Sequence, residues 1–236
     1  MKNTVIAIAI MLCSTMVVAQ KQVISDANAQ DRNLKGFHGI KVSHAIDVII
    51  SQGNEEGVAV SAKSDEYRDK IRTEVENGIL KIWYDEKSWK GGNRQLKAYV
   101  SVKNIDLIQA SGACDVVVTG NLKAKDLRLV MSGASDFNGT MDAEFVDADL
   151  SGASDVVVKG SVDGIKIEAS GASSFKGYDL QAEKCDVRAS GASDISITVN
   201  KELNAQASGA SGVNYKGAGV IRDIKTSGAS SVSRKG

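Results

Sequence analysis

Seven times between Ser111 and the C-terminus the chain writes Ser-Gly-Ala, followed by Ser or Cys and then usually Asp. The copies are Ser111-Gly112-Ala113, Ser132-Gly133-Ala134, Ser151-Gly152-Ala153, Ser170-Gly171-Ala172, Ser190-Gly191-Ala192, Ser208-Gly209-Ala210 and Ser227-Gly228-Ala229. Successive copies start 21, 19, 19, 20, 18 and 19 residues apart. A short period held this closely means one small structural unit stacked on itself, because a unit of that size cannot bury a face alone.

The residues around each copy show what the unit is. Five positions before the motif serine stand Leu127, Val146, Ile165, Cys185 and Leu203, and three before it Ile108, Leu129, Ala148, Ile167, Val187, Ala205 and Ile224. Two before it stand Gln109, Val130, Asp149, Glu168, Arg188, Gln206 and Lys225, nearly all polar. Five after it come Val116, Phe137, Val156, Phe175, Ile195, Val213 and Val232. Apolar and polar positions alternate on both sides of the motif, the period of a strand and not of a helix. The expected fold is all-β: a single-stranded parallel β-helix, read as right-handed, with about 19 residues per turn. Ser-Gly-Ala interrupts the alternation and is therefore the corner between two strands. Glycine supplies a positive φ there, alanine is expected to point into the tight corner, and the serine hydroxyls bond neighbouring backbone or one another up the stack. Six steps from Ser111 to Ser227 make a column roughly 29 Å tall.

Ahead of the repeat the chain divides differently. Residues 1–19, a basic start and then an apolar run ending Val17-Val18-Ala19, read as a signal peptide, and residues 20–35 as a flexible polar lead-in. Residues 36–105 read as a non-repeating β region that caps the helix, and 106–236 as the regular helix. Within the cap, Ser43-His44-Ala45-Ile46-Asp47 is a degenerate copy of the corner, and Ile71–Val75 with Ile79–Trp83 reads as a hairpin turning at Asn77-Gly78. After signal cleavage no apolar stretch is long enough to span a bilayer.

Lysine plus arginine and aspartate plus glutamate both number 29, so the formal net charge is zero and nothing in the composition favours nucleic acid. Proline is absent, which lets every residue donate its backbone N–H to a ladder. Cys114 and Cys185 fall about three and a half turns apart, roughly 17 Å in a stack, too far to pair. Both read as small packing residues.

Repeated Ser-Gly-Ala-Ser-Asp corners, an apparent signal peptide, and the Ile46-Asp-Val-Ile-Ile50 and Asn77-Gly-Ile-Leu-Lys-Ile82 strands resemble the head GIN domain family of putative auto-transporter adhesins. The resemblance covers roughly Phe37 to Lys235. It implies a β-helical protein exported to the periplasm, outer membrane or exterior of a Bacteroidetes-type cell, and it carries no family active site. No translocator barrel is recognisable in the chain.

Three features bear on chemistry. Asp115, Asp136, Asp155 and Asp194 are expected to form a partial carboxylate column up one corner, able in principle to collect Ca²⁺ or polyols. Because Ser174, Gly212 and Ser231 break it, the favoured reading is that each aspartate caps its own corner and that no metal or cofactor is bound. Trp89, alone in a long polar loop, is either a stacking platform for sugar or a lid over the open end of the helix, with the lid favoured. The only histidines of the chain, His38 and His44, precede the repeat, and adjacency to Ser43 and Asp47 does not make a triad. The reading is thus a non-enzymatic, exported adhesin or envelope-binding protein whose partner is a surface glycan or protein, with self-association through helix ends or faces. The alternative is a polysaccharide-binding or carbohydrate-active protein on the same scaffold.

Overall fold

The computed structural model of the chain describes residues 26–85 and 93–236. The first part contains β1 (Gln30–Asp31), β2 (Gly39–Ser43), β3 (Asp47–Gln52), β4 (Gly57–Ser61), a single helical turn α1 (Asp65–Arg68), β5 (Ile71–Glu76), β6 (Ile79–Tyr84), β7 (Lys97–Val102) and β8 (Leu107–Ser111). Five long strands follow: β9 (Asp115–Met131), β10 (Asp136–Leu150), β11 (Asp155–Ala169), β12 (Ser174–Ala189) and β13 (Asp194–Ala207). The stack finishes with β14 (Gly212–Lys216), β15 (Val220–Thr226) and β16 (Ser231–Arg234). Each long strand leaves one Ser-Gly-Ala corner and runs to the next, and each pairs in parallel with the strand before and after it. The result is a parallel β-solenoid of about 7 turns with about 19 residues per turn.

Register explains why the apolar columns stay continuous. Leu127, Val146, Ile165, Cys185 and Leu203 are direct cross-strand partners, as are Val116, Phe137, Val156, Phe175, Ile195 and Val213. All are buried, each contributing on the order of 1.5–3 kcal/mol. The unequal spacings are absorbed by bulges on one side of the coil, so the corners stay aligned. Val118-Thr119-Gly120 faces Gly139 alone, and Gly177 to Leu180 shifts register against both neighbouring coils. Cys114 and Cys185 are separate, buried thiols, and desolvation raises the pKa of both.

The N-terminal layers are not stacked in chain order. β2 lies between β6 and β8, and β3 between β7 and β9, so the first coil of the sequence is the second layer of the stack. Ser43 pairs with Ser111 and Val48 with Val116, which seats the degenerate corner directly beneath the first regular one. β6 and β7 still pair parallel with that layer, but beyond them the parallel pattern stops, because β5 pairs antiparallel with β6 and β4 antiparallel with β7. The hairpin turns at Asn77 and Gly78, both at positive φ, as its sequence requires. Arg94, only 5% exposed, closes this end with its guanidinium 4.9 Å from the ring centre of Tyr84 and 5.6 Å from that of Tyr67.

Two local expectations are corrected. From Asp26 onward the lead-in is not a free tether: β1 pairs with β4, and the Tyr99 hydroxyl donates to Asp26 Oδ2 at 2.8 Å. Desolvation and the Asp26 carboxylate push the Tyr99 pKa up to about 12. The corner alanines, exemplified by Ala113, Ala134 and Ala153, face solvent, and the fourth motif residue fills the corner instead. Ser135, Ser154, Ser173, Ser193 and Ser211 are buried, each donating its Oγ to the carbonyl of the motif serine three residues back at 2.8–2.9 Å. Cys114 makes the weaker sulfur version at 3.3 Å. The hydroxyls therefore bond backbone, which satisfies a carbonyl that the turn leaves over. Glycine is required for two reasons at once. At Gly152 φ is +75°, and a Cβ there would collide with the Gly133 oxygen that accepts from Ala153 N–H.

Candidate functional site

The corner separates two outward faces of different chemistry. On the face before the corner, Asp149 of β10, Glu168 of β11, Arg188 of β12, Gln206 of β13 and Lys225 of β15 stand one above another. With the motif serines Ser170, Ser190, Ser208 and Ser227 they line an open groove of about 430 Å³. It crosses five coils, roughly 19 Å along the stack. The next column in, Arg128, Asp147, Lys166 and Asp186, ties the face together. Arg128 reaches Asp147 at 2.7 Å, Lys166 reaches Glu168 at 3.0 Å, and Arg188 reaches Glu168 at 2.8 Å. Those bonds, from Lys166 first and then Arg188, hold the Glu168 carboxyl below its ordinary pKa, and Glu168 raises Lys166 in turn. The groove thus presents fixed carboxylate, guanidinium, amide, hydroxyl and ammonium groups in a line. Such a surface suits an extended polar chain, held by repeated hydrogen bonds without an aromatic platform.

On the face after the corner lies the aspartate column. Asp136 pairs in register with both Asp115 and Asp155, and Asp194 follows after Ser174. Asp47, beside Val48 in the degenerate corner, extends the column downward, so four consecutive coils each carry a carboxylate. Burial and then the nearby Asp115 charge raise the Asp47 pKa, with Lys97 opposing. Asp155 is neutralised by Lys176 at 3.1 Å. The side-chain bond that closes each corner comes from the fourth-position hydroxyl, a role assigned from sequence to the aspartates. Among the described residues no group of three or more His, Cys, Asp or Glu side chains gathers as a metal site. A second open depression, lined by Asp142, Ser161, Glu144, Asp163 and neighbours, is knitted by Ser161 donating to Asp142 at 2.7 Å.

The remaining candidates separate. Trp89 lies outside the described residues. His44 bonds Ser43 Oγ at 2.7 Å, whereas the imidazole–carboxylate contact belongs to His38 and Asp106 at 2.8 Å. The two halves of a triad therefore sit on different histidines. His44 and Ala45 both adopt positive φ, 68° and 55°, to make a corner without glycine. The groove was visible in the sequence only as a variable polar position two before each motif serine, because its members stand about 19 residues apart.

Comparison with known families places this arrangement. The family model described as putative auto-transporter adhesin, head GIN domain, matches residues 36–219. The chain belongs to that family. Solved structures share its fold. A putative adhesin from Bacteroides fragilis is 16% identical with a TM-score of 0.81, over 88% of this chain and 96% of that one. A protein from Parabacteroides distasonis described as a putative lipid binding protein is 20% identical with a TM-score of 0.68, over 89% and 98%. A putative adhesin from the same organism is 16% identical, also at 0.68, over 88% and 96%. No curated protein matches the chain. Among the described residues no helix is long and apolar enough to cross a membrane.

Proposed function

We propose that this head GIN domain protein is an exported, non-enzymatic binding protein of the cell envelope, and that it holds an extended polar ligand, a surface glycan, along the groove from Asp149 to Lys225. The observation that carries this reading is the alignment of five different polar side chains in one open groove over a rigid, fully packed core. Rigid placement matters because a shallow site gains affinity only when its groups are ordered before the ligand arrives. The adhesin descriptions of the family and of its structural relatives agree with a surface-binding role. The name of the Parabacteroides relative suggests lipid, but here Phe137, Phe175 and the aliphatic columns fill the interior. Both open depressions are shallow, with charged and hydroxyl groups standing among small apolar side chains such as Ala189 and Ala143. The expected substrate of the site is therefore a hydroxyl-rich chain and not an acyl chain.

A glycan and matrix-protein array with the protein tests this. Binding to one or more glycans is expected, weakened about 10-fold or more in the Arg188→Ala, Gln206→Ala variant, which removes two groove donors. Glycan binding that survives this variant but is lost in Asp136→Ala, Asp155→Ala would move the site to the other face and overturn the assignment.

A further inference from the structure

Five large apolar side chains are exposed among the described residues, and three of them, Val220, Ile221 and Ile224, share the seven-residue strand β15. Their exposures are 59%, 41% and 39%. Val220 stands over Glu202 in an outward column, but the other two are not surface positions by pattern. Ile221 pairs with Leu203 and Ile224 with Ala205, so Ile221 and Ile224 continue core columns that are fully buried one coil below. β15 pairs only with β13 and β16 only with β14 among the described residues, which leaves a backbone edge beside the bare columns. An uncovered edge next to uncovered core is the arrangement that soluble β proteins otherwise avoid.

We infer that this face is the interface of a homodimer, in which two copies meet C-terminal end to C-terminal end across a two-fold axis. The opposite end cannot serve as the complement. It is closed by the antiparallel strands β1, β4 and β5, and the outer strand β5 presents Arg72, Glu74 and Glu76. Head-to-tail stacking is thereby blocked, and the remaining closed solution pairs the bare face with itself. The face is self-complementary in charge. Antiparallel pairing of β15 with its copy about Ile224 puts Asp223 opposite the partner's Lys225, twice, on the outward side, and joins the two Ile224 side chains on the core side. Within one chain Asp223 and Lys225 already contact at 2.8 Å in solvent and would exchange partners. A bulge at Arg222 interrupts the register with β13, which then runs regularly from Asp223 to Thr226, so that straight stretch is the pairing segment. A formal net charge near zero leaves little long-range repulsion between copies.

Sedimentation equilibrium of the protein tests the inference, together with the variant Ile221→Arg, Ile224→Arg. A dimer is expected, with its dissociation constant raised at least about 100-fold in the variant. Phe145→Arg, which alters an exposed apolar side chain on the lateral face, should leave the dimer intact. Should the double variant fold poorly, Ile224→Cys provides an independent readout: residues facing each other across a two-fold lie within disulfide reach, so oxidation should give a covalent dimer. Cys114 and Cys185 are buried and stay silent in that assay. A strict monomer at all concentrations, open-ended growth with concentration, a dimer indifferent to the arginines, or no cross-link in folded Ile224→Cys protein would overturn it.

Discussion

The two ends of this solenoid solve the same problem in opposite ways. A stack of coils buries its side chains only between neighbours, so the outermost layer at each end is left with one apolar side and a free edge. At the N-terminal end irregular sequence does the covering. β1, β4 and β5 reverse direction, α1 and Arg94 fill the gap, and charged side chains line the outer strand. At the C-terminal end the repeat continues into β15 and β16, a bulge at Arg222 keeps Ile221 over Leu203, and Ile221 and Ile224 reach solvent. The comparison teaches that the covered end owes its cover to sequence that departs from the repeat, whereas the coil that keeps the repeat's columns leaves Ile221 and Ile224 exposed.

The contrast between interior and end coils sets three expectations. The largest concerns the corners. Gly152→Ala places a Cβ against the Gly133 carbonyl at positive φ with coils on both sides, and should cost more than about 3 kcal/mol or abolish folding. Gly228→Ala meets the Gly209 oxygen at 2.8 Å in the outermost coil, which can lift away, and should cost about half as much or less in denaturant titration. Equal losses at both positions would mean the end coil is held as rigidly as the middle.

Next come the columns. Leu203→Ala should destabilise by about 2–5 kcal/mol, whereas Ile221→Ala, its partner one coil further out, should lose less than about 1 kcal/mol in dilute, monomeric protein. Calorimetric melting of both variants at low concentration separates them. The smallest effect belongs to the capped end. Because burial and Asp115 raise the Asp47 pKa, the folded state binds that proton more tightly than the unfolded chain does. Stability is then lost as pH rises from the ordinary carboxylate range through the raised value. Asp47→Asn should raise Tm slightly at neutral pH, with the gain disappearing in acid. A gain that persists unchanged at low pH would assign it to packing and not to charge.

Much of the fold was legible because the repeat announces its own neighbours. Residues one period apart become cross-strand partners, so the columns through Leu127 and Phe137 and the corner glycines could be aligned by counting. The Asn77-Gly78 hairpin was legible for a different reason, since its pairing is local. The layer order of the cap was not. Alternation marks β2 and β3 as strands but does not say that β6, β7, β8 and β9 will enclose them. Nor does it say which side of a corner faces in. The turn inverts the two-residue alternation, and the fourth-position hydroxyl, not Ala153 or its counterparts, is turned inward. Asp47 stands at the aspartate position of the degenerate corner, but that it continues the column shows only once β3 is seen to lie directly under β9. The groove members were each visible as polar residues, but their common wall exists only once five coils are superposed.

Amide hydrogen exchange on β7 and β15 of the same protein, followed across concentration, addresses the difference between the ends most directly. β7, covered by β3 on one side and β4 on the other, should stay protected at every concentration. β15 should exchange rapidly when dilute and become protected as concentration rises, with that gain absent in Ile221→Arg, Ile224→Arg. Slow exchange of β15 at all dilutions, or fast exchange at all concentrations, would contradict a bare end that a second copy covers.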